Sequence, residues 1–282
     1  MKGIYWIASY PKSGNTWFRI FLTNLRCHEE APADFNQLDT SIASSRLLFD
    51  QSAGTDAADL LPDEVDRLRP RVYEQLVETA EETIFMKIHD AYTQTDQGEP
   101  LVSNKATLGA VYIVRNPLDV AVSYAHHSRI SIDETIRQMG DPKAAFCSKP
   151  KRLHSQLRQK LMTWSGHVTS WVDAPGVNIH VIRYEDMLEK PQEIFSRAAA
   201  FCGLEDDPDK IARAVRFSSY TEIKKQEEQK RFMEAPFGVP SFFRKGEAGG
   251  FKEVLTAEQI GQIIRDHGSV MARFGYIDKA GV

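Results

Sequence analysis

The stretch Ile4-Tyr5-Trp6-Ile7-Ala8-Ser9-Tyr10-Pro11-Lys12-Ser13-Gly14-Asn15-Thr16-Trp17 decides the fold. Residues 4–8 are a short apolar run of the length of a buried strand. Tyr10-Pro11 ends it, because proline lacks an N–H and fixes φ. Gly14 permits a positive φ or a close approach of backbone to ligand. Beyond it Trp17, Phe18, Phe21, Leu22 and Leu25 recur at helical spacing. The reading is strand, tight loop, helix. A helix N-terminus carries N–H groups without intrahelical partners and the positive end of the dipole, which suits a phosphate. Lys12 adds a mobile cation, and Ser13, Asn15 and Thr16 add donors. A solvated strand–loop–helix corner is the plain alternative. The loop is not a nucleoside-triphosphate P-loop of pattern G-x-x-x-x-G-K-[ST]. No Gly-Lys-Ser or Gly-Lys-Thr occurs, and here the lysine precedes the glycine.

Working outward, strand-like and helix-like segments alternate. Thr83 to His89, residues 109–115 and Val177 to Arg183 read as further strands. They are apolar runs without strict alternation, as in a parallel sheet covered on both faces. Pro62 opens a helical stretch that Pro70 breaks or kinks. Leu118 to His127 is helical, with Pro117 at its first position, and Ser131 with Glu134 forms a capping box for the next helix. Leu157, Leu161, Trp164, Val168 and Trp171 predict one long amphipathic helix, its tryptophans in the core. Pro191 and Pro208 open two more, and Thr256 with Gln259 boxes the last, which Gly275 caps. Residues 28–59 read as a loop with short helical pieces, and 141–155 as a basic loop with Lys143, Lys149, Lys151 and Arg152. Residues 232–252 are a long Gly- and Pro-containing loop, a common place for function. The expectation is one α/β domain over 1–282, a central parallel sheet flanked by helices on both faces, with ligands at the carboxyl ends of the strands.

Composition bounds the partners. Of 282 residues, 42% are hydrophobic and 26% charged, enough for a sizeable core. A net charge of −4 argues against nucleic acid as a general partner, so any anion site must be a local cation cluster. Cys27, Cys147 and Cys202 have no metal-type spacing and read as reduced thiols. A first strand at Ile4 leaves no room for a signal peptide, and no run has transmembrane length. No H-E-x-x-H, Cys-x-x-Cys or carboxylate cluster calls for a metal.

Two further constellations bind anions. Arg115 ends the third strand and Ser123 lies on the helix after it, within Tyr112-Ile113-Val114-Arg115-Asn116-Pro117-Leu118-Asp119-Val120-Ala121-Val122-Ser123-Tyr124. An arginine at a strand end offers a bidentate fork to a phosphate, and the serine a second donor. Arg244-Lys245-Gly246 puts two adjacent cations in a glycine-rich loop. Alone, either could be solvated surface.

Together these strings resemble sulfotransferases that use 3′-phosphoadenosine 5′-phosphosulfate (PAPS), a family with a P-loop NTPase-like fold, from Ile4 to about Thr256. The resemblance implies transfer of a sulfonate to a hydroxyl or amine of a small-molecule acceptor, leaving 3′-phosphoadenosine 5′-phosphate (PAP), with no metal. Lys12, Ser13, Gly14, Asn15, Thr16 and Trp17 match the 5′-phosphosulfate loop. Arg115, Ser123, Arg244, Lys245 and Gly246 match the 3′-phosphate site. His89 matches the general base, a role suited to histidine's titration near neutrality, and Lys87 a lysine assisting the sulfonate. His126 and His127 rank behind His89 because they end a helix whose N-terminus should face the donor. Tyr184, in Tyr184-Glu185-Asp186-Met187, matches a residue near the adenine. Ser218-Ser219-Tyr220 stands where the family has Thr-Ser-Phe, with Tyr220 able to stack on the base.

The resemblance also implies the cytoplasmic, unanchored branch of the family. Of the family's dimerisation motif only Lys252 and Thr256 match, with Ala257 and Gly261 in place of valine and glutamate. Tyr92, Phe146, Phe237, Phe242 and Phe243 hint at an aromatic or apolar acceptor, though each fits a core equally. A nucleotide kinase or NTPase and a non-catalytic PAP-binding protein are the rival readings.

Overall fold

The apolar run after Gly3 becomes strand β1 (Ile4–Ser9) of a computed structural model that describes residues 2–27, 30–148, 154–204, 207–236, 238–239 and 241–278. The chain continues through α1 (Asn15–Arg26), β2 (Ser41–Ile42), α2 (Arg46–Ala53), α3 (Pro62–Thr79), β3 (Ile84–Ile88), β4 (Thr107–Val114), α4 (Pro117–Ser128) and α5 (Ile132–Met139). Then come β5 (Ala145–Phe146), β6 (Gln159–Lys160), α6 (Trp164–Val172), β7 (Ile179–Arg183), α7 (Tyr184–Glu189), α8 (Pro191–Phe201), α9 (Pro208–Phe217), α10 (Tyr220–Gln229) and α11 (Ala257–Arg273). The central sheet has five strands in the order β2-β3-β1-β4-β7. β1 pairs in parallel with β3, Ile4 facing Ile84 and Ala8 facing Ile88, and β2 pairs in parallel with β3. This is the α/β class that the sequence predicts. The strand order turns back on itself at β1, the kind of point where open α/β sheets bind ligands. The segment after β1 is the Tyr10–Gly14 loop.

The chain forms two compact units: Met1–Tyr10, Ser41–Tyr112 and Met139–Val181 in the first; Pro11–Thr40, Ile113–Gln138 and Ile182–Val282 in the second. In the first, Trp6 is fully buried, packs edge-on against Tyr73 at 5.0 Å and donates to Thr107 Oγ1 at 2.8 Å. Arg69, equally buried, forks onto Asp90 at 2.7 and 3.1 Å and donates to the Tyr73 hydroxyl at 3.0 Å. In the second, Phe18, Phe21 and Leu22 fill the inner face of α1, and Phe21 stacks on Phe195 at 4.3 Å. Each such side chain contributes about 1.5–3 kcal/mol of burial.

The structure corrects several sequence expectations. Pro70 does not break its helix: α3 runs unbroken from Pro62 to Thr79. A mid-helix proline costs about 3 kcal/mol, which burial of Pro70, Val65, Val72 and Tyr73 and the Arg69–Asp90 pair offset. The long helix expected from Leu157 starts only at Trp164, capped by Thr163. Leu157 and Leu161 are buried, but on extended chain: their amides donate to Ser44 O at 2.7 Å and Ala144 O at 2.8 Å, and β6 pairs with β5. The helix-like spacing there is a coincidence of burial, and tertiary pairing overrides it. β2, β5, α7 and α10 are elements that the sequence pattern does not predict. Lys149, Lys151, Arg152 and Phe237 lie outside the described residues. Among the described residues no helix is long and apolar enough to cross a membrane.

One buried histidine in each unit carries a pH consequence. Burial pushes His167 down to about 4, against the hydrogen bonds that favour its charged form. Burial likewise pushes His267 down to about 4, against Asp266. Between pH 6.5 and 4 the unfolded chain binds protons that the folded chain refuses. Stability from these groups is therefore complete above pH 6.5 and is lost as pH falls toward 4. At about 1.4 kcal/mol per pKa unit, each histidine accounts for roughly 3 kcal/mol. The urea midpoint should fall steadily from pH 7 to 4.5; a flat midpoint over that range contradicts the assignment.

Candidate active site

The loop after β1 is built as a seat. Gly14 caps α1 at φ 104°, a left-handed conformation that glycine takes without strain, and an added Cβ would come within 2.7 Å of Tyr184 Cδ2. Lys12 is also left-handed, at φ 68°. For a residue with a side chain that costs on the order of 1 kcal/mol or more. It turns the Lys12 carbonyl toward Arg115, whose Nη1 donates to it at 3.1 Å. Arg115 Nη2 donates to Glu247 O at 3.1 Å, and the guanidinium lies 4.1 Å from the centre of the Tyr184 ring. Two buried donors in this loop and beside it, the Ser13 hydroxyl and Arg115 Nε, have no hydrogen-bond partner among the described residues. Leaving such groups unmet costs about 1–3 kcal/mol each, and an anionic oxygen would satisfy both kinds. Asn15 is buried and Thr16 half-buried in the first turn of α1. Trp17 donates its Nε1 proton to Ser218 O at 2.8 Å and packs edge-on against Tyr184 and Phe195.

A pocket lies beside this loop, lined by Lys12, Ser123, His126, His127, Val239, Ser241, Phe242 and Arg244. The Lys12 ammonium sits 4.0 Å above the Phe242 ring and 3.4 Å from His127 Nδ1. His126 and His127 thus line a pocket together with Lys12, although they end a helix. Ser123, His126 and His127 share one face of α4, at steps of three and four, and the pocket opens on that face instead of at the helix N-terminus. Burial, then the charges of Arg244 and Lys12, hold His126 below its ordinary range.

The 230–252 loop brings the remaining cations. Arg244 and Lys245 are exposed, and Lys245 makes a surface pair with Glu253 at 3.4 Å. Gly246 is left-handed at φ 64°, and an added Cβ would meet the Tyr220 ring at 2.6 Å. Tyr220 donates its hydroxyl to Arg244 O at 2.8 Å. Ser218 is turned inward, its hydroxyl on Ala214 O at 2.8 Å.

Carboxylates hold this loop, and the sequence reading assigned them no role. Glu227 Oε1 accepts from the Phe242 amide at 2.6 Å and the Phe243 amide at 3.2 Å. Burial alone would raise Glu227, but Lys224, Ser241 and the two amides hold it below the usual carboxylate range. Asp119 accepts from Gly249 N at 2.7 Å and Phe251 N at 3.1 Å. Glu234 meets Arg19 at 2.8 and 2.9 Å. Asp119 left a signal: a carboxylate inside a phosphate-binding string repels phosphate, so its use is to hold backbone.

In the first unit, β3 ends at Ile88 and His89 follows. His89 Nδ1 lies 2.8 Å from Ser9 O. A carbonyl only accepts, so the proton is on Nδ1 and Nε2 is the basic nitrogen. Lys87 is half-buried in β3, in register with Ile7 and Ile42. Tyr92 packs on Trp171 at 5.5 Å and Phe243 packs against Phe35 and Phe232, while Phe242 packs against the same cluster and also lines the pocket beside Lys12. Among the described residues no group of three or more His, Cys, Asp or Glu is placed to hold a metal ion.

The fold is α/β, and the loop after β1 leads into a helix N-terminus at Gly14 with Arg115 bonded to its Lys12 carbonyl. The chain belongs to the sulfotransferase domain family, whose model matches residues 4–275. It is 26% identical over 269 residues to cytosolic sulfotransferase 1 of Danio rerio, covering 90% of this chain and 77% of that one. It is 23% identical to flavonol 3-sulfotransferase of Flaveria bidentis, covering 91% and 78%. Retinol dehydratase, solved with androsterone and the inactive cofactor PAP, shares the fold at a TM-score of 0.64 and 19% identity, over 95% of this chain and 80% of that one.

Proposed function

We propose that residues 1–282 act as one sulfotransferase domain that moves a sulfonate from PAPS, in line, to a hydroxyl or amine of a small-molecule acceptor. The observation that carries this is the seat itself: a strained Lys12, a glycine pressed on Tyr184, and unmet Ser13 and Arg115 donors. Lys12 to Trp17 would hold the 5′-phosphosulfate. Arg115, Ser123, Arg244, Lys245 and Gly246 would hold the 3′-phosphate, with Tyr184 and Tyr220 beside the adenine. Ser218 would act through its carbonyl on Trp17, since its hydroxyl is spent within α9 and its cap. His89 Nε2 takes the acceptor proton, and Lys12, with Lys87 assisting, meets charge developing on the leaving oxygen and the sulfonate. Relatives named for a flavonol, a 3-beta-hydroxysteroid and luciferin support a small organic acceptor.

The test is nucleotide binding. PAP should bind without added metal, and Arg244→Ala should weaken it by about 1.5–3 kcal/mol, the scale of a charged hydrogen bond. Equal affinity for adenosine phosphates with and without the 3′-phosphate sinks the reading. A mass-spectrometric screen for acceptors that gain one sulfonate then identifies the substrate. A non-catalytic PAP-binding protein predicts binding with no labelled sulfonate transferred.

A further inference from the structure

A chain of hydrogen bonds in the first unit runs through the histidine read as the base. It begins at the peptide group joining Ser9 to Tyr10, where β1 passes into the loop. The carbonyl of that peptide accepts from His89 Nδ1 at 2.8 Å. The Tyr112 hydroxyl lies 2.8 Å from His167 Nδ1, and His167 Nε2 lies 3.0 Å from the His89 carbonyl. Proton positions follow from the acceptors. The His89 carbonyl can only accept, so His167 carries its proton on Nε2; its Nδ1 must then accept from Tyr112. The chain therefore runs from Tyr112 through His167 to the His89 carbonyl, while the His89 ring faces Ser9, its Nδ1 2.8 Å from Ser9 O and 3.4 Å from Ser9 Oγ.

We propose that Tyr112 and His167 are positioning residues for His89, holding its backbone carbonyl and thereby keeping its ring against Ser9 O as the Nδ1–H tautomer. The proposal rests on the reading of His89 as the base. Both side chains are completely buried. Apolar residues of the same size would fill that space with no polar group to desolvate, so packing alone gives no reason for a tyrosine–histidine pair. A fully satisfied polar network, by contrast, fixes one geometry. The relay also needs a neutral His167, because a proton on Nδ1 would face the Tyr112 hydroxyl. Burial keeps it neutral down to about pH 4. Beyond His89 the chain is clamped again: Trp171 Nε1 donates to Asp90 O at 2.9 Å, and the Asp90 carboxylate is forked by Arg69. The polypeptide on both sides of the imidazole is thus fixed, which is what placing a base within tenths of an ångström requires.

The experiment pairs imidazole nitrogen NMR on the donor-free protein with kinetics of Tyr112→Phe, which removes one oxygen. At pH 7 the wild type should show His89 as the Nδ1–H tautomer and His167 as Nε2–H. In Tyr112→Phe, His89 should become a tautomer mixture. kcat should fall about 10-fold, less than the roughly 10²-fold that a 1 Å misplacement can cost, with PAP affinity unchanged. A wild-type His89 protonated on Nε2 overturns the proposal even if the variant fails to fold. So does a variant that keeps both tautomer and kcat, or one whose kcat loss only tracks its unfolded fraction. An active His89→Ala with the wild-type tautomers as stated removes the base reading instead, so the two failures are distinguishable.

Discussion

His89→Ala lowers turnover by about 10²–10⁴-fold, the range for loss of a general base, and leaves PAP binding nearly intact. The split follows from where His89 stands. It belongs to the end of β3, and its Nδ1 proton is committed to Ser9 O. It therefore offers one basic nitrogen, from a segment other than those assigned to the nucleotide. The variant should thus show a collapsed kcat with an unchanged PAP isotherm. His126→Ala and His127→Ala are the controls, because both line the pocket beside Lys12. Burial, Arg244 and Lys12 keep His126 neutral but make it a poor place to put a proton. If His89→Ala keeps near-normal rates and one of the controls does not, the base is misassigned.

Lys12→Met lowers kcat at saturating donor by at least about 10²-fold, the scale of losing one preorganised donor to a developing charge. Two roles are open to this lysine. A contact made equally to ground and transition states would raise KM and spare kcat; a contact that strengthens as the bridging oxygen leaves would lower kcat. The loop favours the second. Its backbone and Ser13 already supply a seat, while the Lys12 ammonium is carried on a flexible stem and rests on Phe242 at 4.0 Å and His127 at 3.4 Å. Methionine keeps the stem and can pack its thioether on the same aromatic ring, so the fold should be little disturbed. An unchanged saturated kcat with much weaker donor binding would make Lys12 part of the seat only.

The sequence by itself determined the strand–loop–helix corner, because Pro11, Gly14 and the spacing from Trp17 to Leu25 are local instructions. It also determined the helix starts at Thr256, Pro208 and Pro117, each set by a bond or dihedral restraint within a few residues. The Arg115 and Arg244 strings stand out in the sequence because they set cations at a strand end or beside glycine, a pattern that suits a phosphate. Tertiary structure decided the rest. Leu157 and Leu161 have the spacing of a helix, yet their amides bond Ser44 and Ala144, distant in sequence, and the segment is extended. Pro70 stays helical because its neighbours are buried and paired. His127 stands against Lys12 because one face of α4 meets the 239–244 loop, which Glu227 holds through the amides of Phe242 and Phe243. Tyr112 and His167 carry no mark in the sequence beyond lying in a predicted strand and a predicted helix. That their polar atoms meet at the His89 carbonyl depends on three segments far apart in the chain, and no local spacing encodes a hydrogen bond whose partners meet only when the core is packed.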